Sequence, residues 1–211
     1  MVSRGAGSGE QRHYFDPSPS VPSRPASVDL SLPDVQLTLG TDRGVFAGSG
    51  VDPGTKFLLL DGPRPDPDEP GNLLDLGCGY GPIALALASR ALHATVWAVD
   101  VNERARALCA ANAEAAGLAN VRVAAPEEVP ADVRFAGIWS NPPICIGKAA
   151  LHELLLTWLA RLAPGAQAHL VVQKHLGSDS LARWLTEQGH PTSKLRSRAG
   201  YRLLDVQGPA A

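Results

Sequence analysis

The sequence has few of the residues that mark metal, disulfide or membrane proteins. Its three cysteines, Cys78, Cys109 and Cys145, are far apart and form no C-x-x-C pair, which argues against a zinc site and a disulfide framework. No apolar run approaches the roughly 20 residues of a membrane-spanning helix, and the start of the chain lacks the apolar core of a signal peptide. We therefore expect a cytoplasmic protein with no metal and no membrane partner.

Aromatic residues and net charge are scarce as well. Aromatic residues make up 5% of the chain, and the formal net charge is −2. A chain so close to neutral has no overall basic field, so any RNA binding must depend on a local patch. Hydrophobic residues make up 45% of the 211 residues, which is enough for a sizeable core and fits one large domain better than two.

Shifts in composition predict how the chain is organised. Residues 1–12 are rich in Gly and Ser and are expected to be a disordered tail. Residues 13–211 form the predicted domain, which begins with an arm and a hairpin at 13–60. The hairpin is predicted from two alternating apolar and polar segments on either side of Pro33-Asp34. Residues 61–71 contain four prolines and four acids and are expected to be a connecting loop.

From residue 72 onward, apolar strand patterns alternate with helical patterns rich in alanine and leucine. This alternation predicts an α/β fold with a mostly parallel sheet covered on both faces. The last two strand patterns are expected to form an antiparallel pair, which gives a seven-stranded mixed sheet. The predicted strands cover 72–76, 95–100, 121–124, 135–140, 168–173, 192–198 and 201–206, and the predicted helices cover 83–92, 103–116, 149–162 and 181–188.

A glycine-rich turn follows the first of these strands, with Gly77, Gly79 and Gly81 alternating and Cys78 inside the turn. Glycines allow a tight turn and a close approach to a ligand, and the helix N-terminus that follows attracts a carboxylate. Asp75 lies at the tip of the strand, where it can hold an ammonium group. In an α/β sheet, such a turn predicts a site for an adenosine-containing cofactor.

The residues around the turn distinguish between NAD and other adenosine-containing cofactors. NAD sites prefer G-x-G-x-x-G, whereas here the spacing is G-x-G-x-G, with Asp75 where a pyrophosphate would be repelled. Asp100, followed by Val101, ends the next strand, and its carboxylate can accept hydrogen bonds from both hydroxyls of a ribose. The pattern favours S-adenosylmethionine (SAM). A strand-to-helix turn without a ligand is the alternative.

The segment Asn141-Pro142-Pro143-Ile144 follows another buried strand pattern and predicts a corner that binds an amine. The prolines lack N–H donors and stiffen the chain, which leaves carbonyls such as that of Pro142 free. Together with the side-chain carbonyl of Asn141, they can hold both protons of an exocyclic amine in line with a donor methyl group. Beside the glycine turn, this corner predicts methyl transfer from SAM to nitrogen without a strong base.

The two motifs together resemble the signature of class I SAM-dependent methyltransferases that act on amino nitrogen. Further matches at residues 42–46 and at Asp52-Pro53-Gly54-Thr55 extend the resemblance over residues 13–206. Over this length the chain is similar to the methyltransferase small domain of the ribosomal RNA small subunit methyltransferase C family. The resemblance implies a Rossmann-like class I methyltransferase fold with SAM as the cofactor. It also implies methylation of the exocyclic N2 of a guanine in 16S ribosomal RNA, so that ribosomal RNA or the small ribosomal subunit is the partner.

The resemblance further implies roles for single residues. Residues 75–81, Asp100 and Val101 would hold SAM, and Glu127 is the acid nearest to the place where relatives hold the adenine amine. Residues 141–144 would hold the target amine.

Position 144 departs from the family pattern, because relatives often have an aromatic residue there that stacks on the base. Tyr14 or Phe15 of the arm can supply a stacking ring, and hydrophobic anchoring of the arm explains these two aromatics equally well. A protein glutamine N5-methyltransferase uses the same acceptor motif, although it usually has Tyr where this chain has Ile144. A SAM- or RNA-binding module without turnover is a second alternative.

Several basic residues are candidates for contact with RNA phosphates. Lys194, Arg196 and Arg198 alternate in one strand pattern, so a strand would place them on one face, with Arg202 nearby. Lys148 follows the acceptor corner and can meet an RNA phosphate, with solvation of its helix as an equally good explanation. A solvated strand edge that prevents aggregation explains the first group equally well.

Overall fold

The computed structural model of the chain describes residues 21–47, 50–68 and 70–208. The predicted tail at 1–12 and the candidate stacking residues Tyr14 and Phe15 lie outside these ranges. The first element is the expected hairpin, formed by β1 (Ala26–Ser31) and β2 (Gln36–Thr41). The two strands pair antiparallel, with Ser31 opposite Gln36 and Ala26 opposite Thr41.

The described residues after the hairpin form the predicted seven-stranded mixed sheet. Its strands lie side by side in the order β5-β4-β3-β6-β7-β9-β8. The strands β3 to β7 run parallel, whereas β9 is antiparallel to both of its neighbours, as expected for the last strand. Their ranges are β3 (Asn72–Leu76), β4 (Thr95–Val99), β5 (Val121–Ala124), β6 (Phe135–Ser140), β7 (Leu162–Gln173), β8 (Thr192–Arg198) and β9 (Tyr201–Gln207).

Five α-helices within the described ranges cover the two faces of the sheet: α1 (Pro53–Asp61), α2 (Pro82–Arg90), α3 (Glu103–Ala115), α4 (Lys148–Leu159) and α5 (Ser178–Glu187). Because side chains of a strand alternate between faces, Leu73 joins the core under α2 and α3, and Leu74 joins the core under α4 and α5. No helix in the described ranges is both long and apolar enough to cross a membrane.

The hairpin packs on α3 through the side chain of Asn112. Its amide accepts a hydrogen bond from the backbone N–H of Gly40 at 2.7 Å and donates to the carbonyl of Gly40 at 2.9 Å. The same nitrogen donates to the carbonyl of Tyr80 at 2.8 Å, so it also ties the hairpin to the glycine-rich turn. The chain after the hairpin is thereby directed toward the carboxyl ends of the parallel strands.

Three elements, α1, α4 and β7, differ most from the sequence-based expectation. Residues 56–60, expected only as an apolar stretch, belong to helix α1, which Asp52 caps by accepting the N–H of Thr55. Helix α4 ends at Leu159 rather than at residue 162, and β7 begins at Leu162. The strand tolerates Pro164 and Gly165 because its pairing with β6 shifts there, so both residues lie in a bulge.

Candidate functional site

A cleft of about 280 Å³ opens at the carboxyl ends of β3, β4 and β6. Strand β3 is the first of the sheet in chain order, and the chain continues to β4 on one side of it and to β6 on the other. Open α/β sheets bind ligands at this kind of switch point. The lining residues are Val45, Phe46, Asp52, Leu76, Gly77, Gly79, Val99, Asp100, Val101, Asn102, Ala105, Pro126, Asn141, Pro142, Pro143, Ile144, Cys145, Leu154, Gln173, Leu176 and Tyr201.

The glycine-rich turn forms the floor of the cleft with bare backbone. The N–H groups of Gly77 and Cys78 both donate to the carbonyl of Val99, which fixes the turn against the tip of β4. Gly77 and Gly79 have φ angles of +77° and +55°, a region that glycine adopts without strain. A Cβ at Gly79 would meet no atom within 4 Å, and one at Gly77 would meet only Pro143. The space that side chains would fill is therefore left to a ligand.

Asp100 connects the turn to the rim of the cleft. One of its carboxylate oxygens accepts the N–H of Gly79 at 2.9 Å, and the other accepts the N–H of Asn102 at 2.9 Å. Burial raises the pKa of Asp100, and these two hydrogen bonds oppose the rise. Each oxygen keeps a further lone pair for a donor such as a ribose hydroxyl. Val101, 42% exposed, continues the rim.

Asp75 lies beneath the turn and is not among the residues that line the cleft. Its side chain is fully buried, and one oxygen accepts the N–H of Ala84 in the first turn of α2 at 2.8 Å. Its other oxygen has no hydrogen-bond partner in the described residues. Burial raises the pKa of Asp75 to about 8. In this structure the carboxyl group supports the start of α2, and its expected contact with an ammonium group stays a prediction.

Cys78 and Gly81 pack behind the turn. Both residues are buried, and a Cβ at Gly81 would lie 2.7 Å from Sγ of Cys109 in α3. A hydrogen bond with Cys109 and burial raise the pKa of Cys78 well above its ordinary value, so the thiol stays protonated. These two positions hold the turn against α3 and lie outside the lining of the main cleft.

The acceptor corner lies across the cleft from the turn, and Asn141, Pro142, Pro143 and Ile144 all line it. The carbonyl of Pro142 accepts the N–H of Ile144 at 2.8 Å across a tight turn at Pro143, so one of its two lone pairs is used within the loop and the other is left. The side-chain nitrogen of Asn141 donates to Oδ1 of Asp52 at 2.7 Å and to Oγ1 of Thr55 at 3.1 Å. The carbonyl oxygen of Asn141 is thus left to meet a ligand, together with the second lone pair of the Pro142 carbonyl.

Comparison with known proteins agrees with this architecture. The methyltransferase small domain family matches residues 36–205, which is most of the chain. The chain belongs to the methyltransferase small domain family. It is therefore a SAM-dependent methyltransferase, and SAM is its cofactor.

Individual relatives of this methyltransferase differ in length. The chain is 35% identical over 198 residues to the uncharacterized protein YbxB of Bacillus subtilis (strain 168), a match that covers 92% of this chain and 98% of YbxB. It is also 35% identical over 159 residues to ribosomal RNA small subunit methyltransferase C of Shewanella halifaxensis (strain HAW-EB4), covering 72% of this chain and 45% of that protein. The chain thus spans less than half the length of that ribosomal RNA methyltransferase.

A solved relative gives a structural comparison for the methyltransferase domain. The T. thermophilus 16S rRNA N2 G1207 methyltransferase (RsmC), in complex with AdoMet and guanosine, superposes with a TM-score of 0.72 at 26% identity. The match covers 90% of this chain and 52% of that chain. The cleft fits the shared cofactor, because Gly77 and Gly79 leave open space at the switch point and Asp100 offers acceptors beside it.

Some lining residues of the methyltransferase cleft were not predicted from the sequence, and Glu127, like Asp75, Cys78 and Gly81, is predicted but not among them. Three of the residues that were not predicted reach the cleft from α1, β7 and β9, and they are Asp52, Gln173 and Tyr201. A helix-start signal, the Asp-Pro pair at the start of α1, could have revealed Asp52. Glu127 is exposed and lies outside the lining, although its neighbour Pro126 belongs to it.

The basic residues of β8 and β9 are engaged in ion pairs. Arg196 and Arg198 contact the carboxylate of Asp61 at 3.4 and 3.2 Å, and Lys194 contacts Asp179 at 2.5 Å. Arg202 also contacts Asp179. The pairing agrees better with the interpretation of a solvated edge than with that of a free phosphate-binding face.

Proposed function

We propose that the chain transfers a methyl group from SAM to the exocyclic N2 of a guanine in 16S ribosomal RNA. The observation that carries this proposal is the orientation of Asn141 in the cleft, with its nitrogen engaged and its carbonyl oxygen left for an amine. The structural relative, whose name specifies N2 of a 16S guanine and whose complex contains guanosine, supports the choice of acceptor.

The acceptor corner is suited to a weakly nucleophilic amine. The lone pair of guanine N2 is delocalised into the ring, so the nitrogen reacts only when it is held close to the donor and bent out of the ring plane. Asn141 accepts one N–H of this amine, and Pro142-Pro143 keeps the acceptor rigid, so that no reorganisation accompanies the reaction. The amide is neutral and is not a strong base, and the displaced proton passes to water. Bound SAM supplies an electrophilic methyl group on its sulfonium.

The donor side of the site is assigned to the turn and to β4. Gly77 and Gly79 hold the cofactor through backbone, since their positive φ angles turn the chain without side chains. Asp100 would accept the ribose hydroxyls with the lone pairs that its two backbone contacts leave over. Val101, which lines the cleft next to Asp100, would contact the same end of the cofactor.

The acceptor side offers apolar surface for a base. Phe46 and Tyr201 are aromatic residues of the cleft lining, and Phe46 is 45% exposed. Ile144 and Leu176 add aliphatic surface, and Leu176 is 49% exposed. Stacking of a base on an aromatic ring contributes roughly 1–3 kcal/mol. We assign this contact to Phe46, which compensates for the aliphatic side chain at position 144.

The proposal is tested by methylation with purified protein and labelled SAM. Small ribosomal subunits and free 16S ribosomal RNA, from cells that lack the protein, are the acceptors, and nucleosides are analysed by mass spectrometry. We expect label in N2-methylguanosine at one position. Asn141→Ala should lower kcat by roughly 100-fold while the Kd of SAM changes by less than about 3-fold, because the amide acts on the acceptor.

Gln188→Ala, a change at an exposed position in the turn after α5, is the control and should keep full activity. Label in a glutamine of a ribosomal protein, with none in RNA, would overturn the assignment of the guanine. Full activity of Asn141→Ala would overturn the role of the acceptor corner.

A further inference from the structure

We propose that Asp52 is a positioning residue that, with Thr55, sets the orientation of the Asn141 amide. This inference rests on the proposed function of Asn141 and adds the residues that make the function possible. They belong to the motif Asp52-Pro53-Gly54-Thr55, which lies 89 positions before Asn141 in the chain.

The contacts leave one arrangement of the amide. A carboxylate can accept hydrogen bonds but cannot donate them, so the group of Asn141 that faces Oδ1 of Asp52 at 2.7 Å must be the NH2 group. The second N–H of the amide meets Oγ1 of Thr55 at 3.1 Å. Both donors are therefore used by the protein. The carbonyl oxygen is the part of the amide that these contacts leave for an amine in the cleft that Asn141 lines.

Without Asp52, the same side chain would have two nearly equivalent orientations. The nitrogen and oxygen of an amide have almost the same size, so packing alone does not distinguish them. In the flipped orientation the NH2 group would face the N–H of the substrate amine, and no hydrogen bond would form. Hydrogen bonds to a charged acceptor are stronger than neutral ones, and they also polarise the carbonyl at the far end of the amide.

The start of α1 holds Asp52 rigidly for this task. Oδ1 of Asp52 also caps the helix by accepting the N–H of Thr55 at 2.9 Å, and Thr55 is only 4% exposed. Gly54 is required beside it, because a Cβ there would lie 2.9 Å from Oδ1 of Asp52 and 2.6 Å from the ring of Tyr201. The helix itself is anchored by the buried side chains of Leu58 and Leu59.

The first test separates positioning from folding with Asp52→Ser. Serine caps a helix about as well as aspartate but is one bond shorter, so α1 is kept and the contact with Asn141 is lost. We expect kcat for ribosomal RNA to fall roughly 10- to 100-fold, with KM for RNA and the Kd of SAM within about 3-fold. Thr55→Val should have a smaller effect, since it removes only the second acceptor. A kcat of Asp52→Ser equal to that of the wild type would overturn the proposal.

The second test exchanges the two groups. Asn141→Asp alone places two carboxylates within hydrogen-bond distance, which disfavours both charges and should abolish activity near neutral pH. Adding Asp52→Asn restores an amide–carboxylate pair, and the hydroxyl of Thr55 can reverse its hydrogen bond. The double variant should therefore have a kcat at least roughly 10-fold above that of Asn141→Asp alone. A double variant no more active than the single one would count against positioning.

A third measurement does not depend on the acceptor and so separates this inference from the proposed function. In protein labelled with ¹⁵N-asparagine, the side-chain NH2 signals of Asn141 are identified by their loss in Asn141→Asp. We expect their exchange with water to be at least roughly 10-fold faster in Asp52→Ser than in the wild type. Equal exchange rates would overturn the inference even where methylation of RNA is confirmed. Faster exchange in a protein that does not methylate RNA would retain it and reject the guanine.

Discussion

Asp75 has a carboxyl group that the sequence places at a ligand-binding position but that the structure buries completely. Its carboxyl group is fully buried under the glycine-rich turn, with one oxygen bonded to Ala84 and the other without a partner in the described residues. Burial raises its pKa from the ordinary 3.8 to about 8, and the hydrogen bond from Ala84 opposes the rise. The folded protein therefore binds a proton here that the unfolded chain releases near pH 4, so stability falls as pH rises from about 4 to about 8.

We predict that Asp75→Asn removes this pH dependence. The amide oxygen can still accept the N–H of Ala84, and the side chain no longer ionises. The free energy of unfolding of Asp75→Asn should exceed that of the wild type by an amount that grows from pH 5 to pH 8 and reaches on the order of a few kcal/mol. Urea denaturation without SAM at a series of pH values measures it. A difference that is constant over this range would contradict the burial effect, and Asp29→Asn at an exposed position is the matched control.

The glycine-rich turn links β3 to α2, and its glycines have different tasks. Gly79 has open space where a Cβ would be, whereas a Cβ at Gly81 would lie 2.7 Å from both Sγ of Cys109 and Cδ1 of Leu85. Both residues have positive φ angles, +55° and +97°. The motif therefore combines a position that makes room for the ligand with a position that permits the packing of α2 on α3.

We predict that alanine at Gly79 mainly weakens SAM binding, whereas alanine at Gly81 mainly lowers stability. Gly79→Ala should cost about 1–2 kcal/mol of stability, which is the penalty for a positive φ angle. It should also raise the Kd of SAM by roughly 10-fold or more, because the added methyl group enters the cleft. Gly81→Ala should cost roughly 1–3 kcal/mol more, because the added methyl group overpacks the contact with α3.

Denaturation without SAM and calorimetric titration of SAM, both on the same two variants, check this pair. Equal losses of stability would contradict the packing argument, and wild-type affinity of Gly79→Ala would contradict the placement of the ligand.

The elements that could be predicted from the sequence are those specified by local pattern. The bounds of β3, β5, β6 and β8 agree with the prediction, since each is a short strand run ended by a clear loop signal. Helix α1 was missed although Asp52-Pro53 is a helix-start signal, because its apolar residues show no clear helical period. The start of β7 was missed because Pro164 and Gly165 usually end an element, and only pairing with β6 retains them in a strand.

The cleft as a whole depends on contacts that no local pattern contains. The turn at 75–81 and the corner at 141–144 could be found because each combines special residues over a few positions. The contact between Asp52 and Asn141 could not, since it depends on the hairpin being docked on α3 and the following chain being led to the sheet edge. The same holds for Tyr201, which reaches the cleft because β9 pairs antiparallel with β7.

At the scale of the whole molecule, the net charge of −2 means that the RNA substrate proposed above needs a local group of basic residues to bind its phosphates. The basic residues on β8 and β9 are paired with Asp61 and Asp179. Lys148 and Lys174 are both exposed, and each follows cleft-lining residues closely in the chain. Lys148 is also the first residue of α4, where a positive charge is unfavourable for the helix. Because this lysine does not stabilise the helix, a role in binding explains its position better.

We predict that these two lysines bind phosphates at the rim of the cleft. The double variant Lys148→Gln with Lys174→Gln should raise the KM for ribosomal RNA by roughly 5- to 20-fold near 0.15 M salt and reduce the slope of log KM against log salt by about 1 to 2. Its kcat and its Kd for SAM should stay at the wild-type values, because neither lysine reaches the reacting groups. The matched control is Lys194→Gln with Arg196→Gln, which removes the same charge from the paired edge strand and should change KM by less than about 2-fold. A larger increase in KM for this control than for the rim variant would indicate that RNA binds at the β8 edge instead of at the cleft rim.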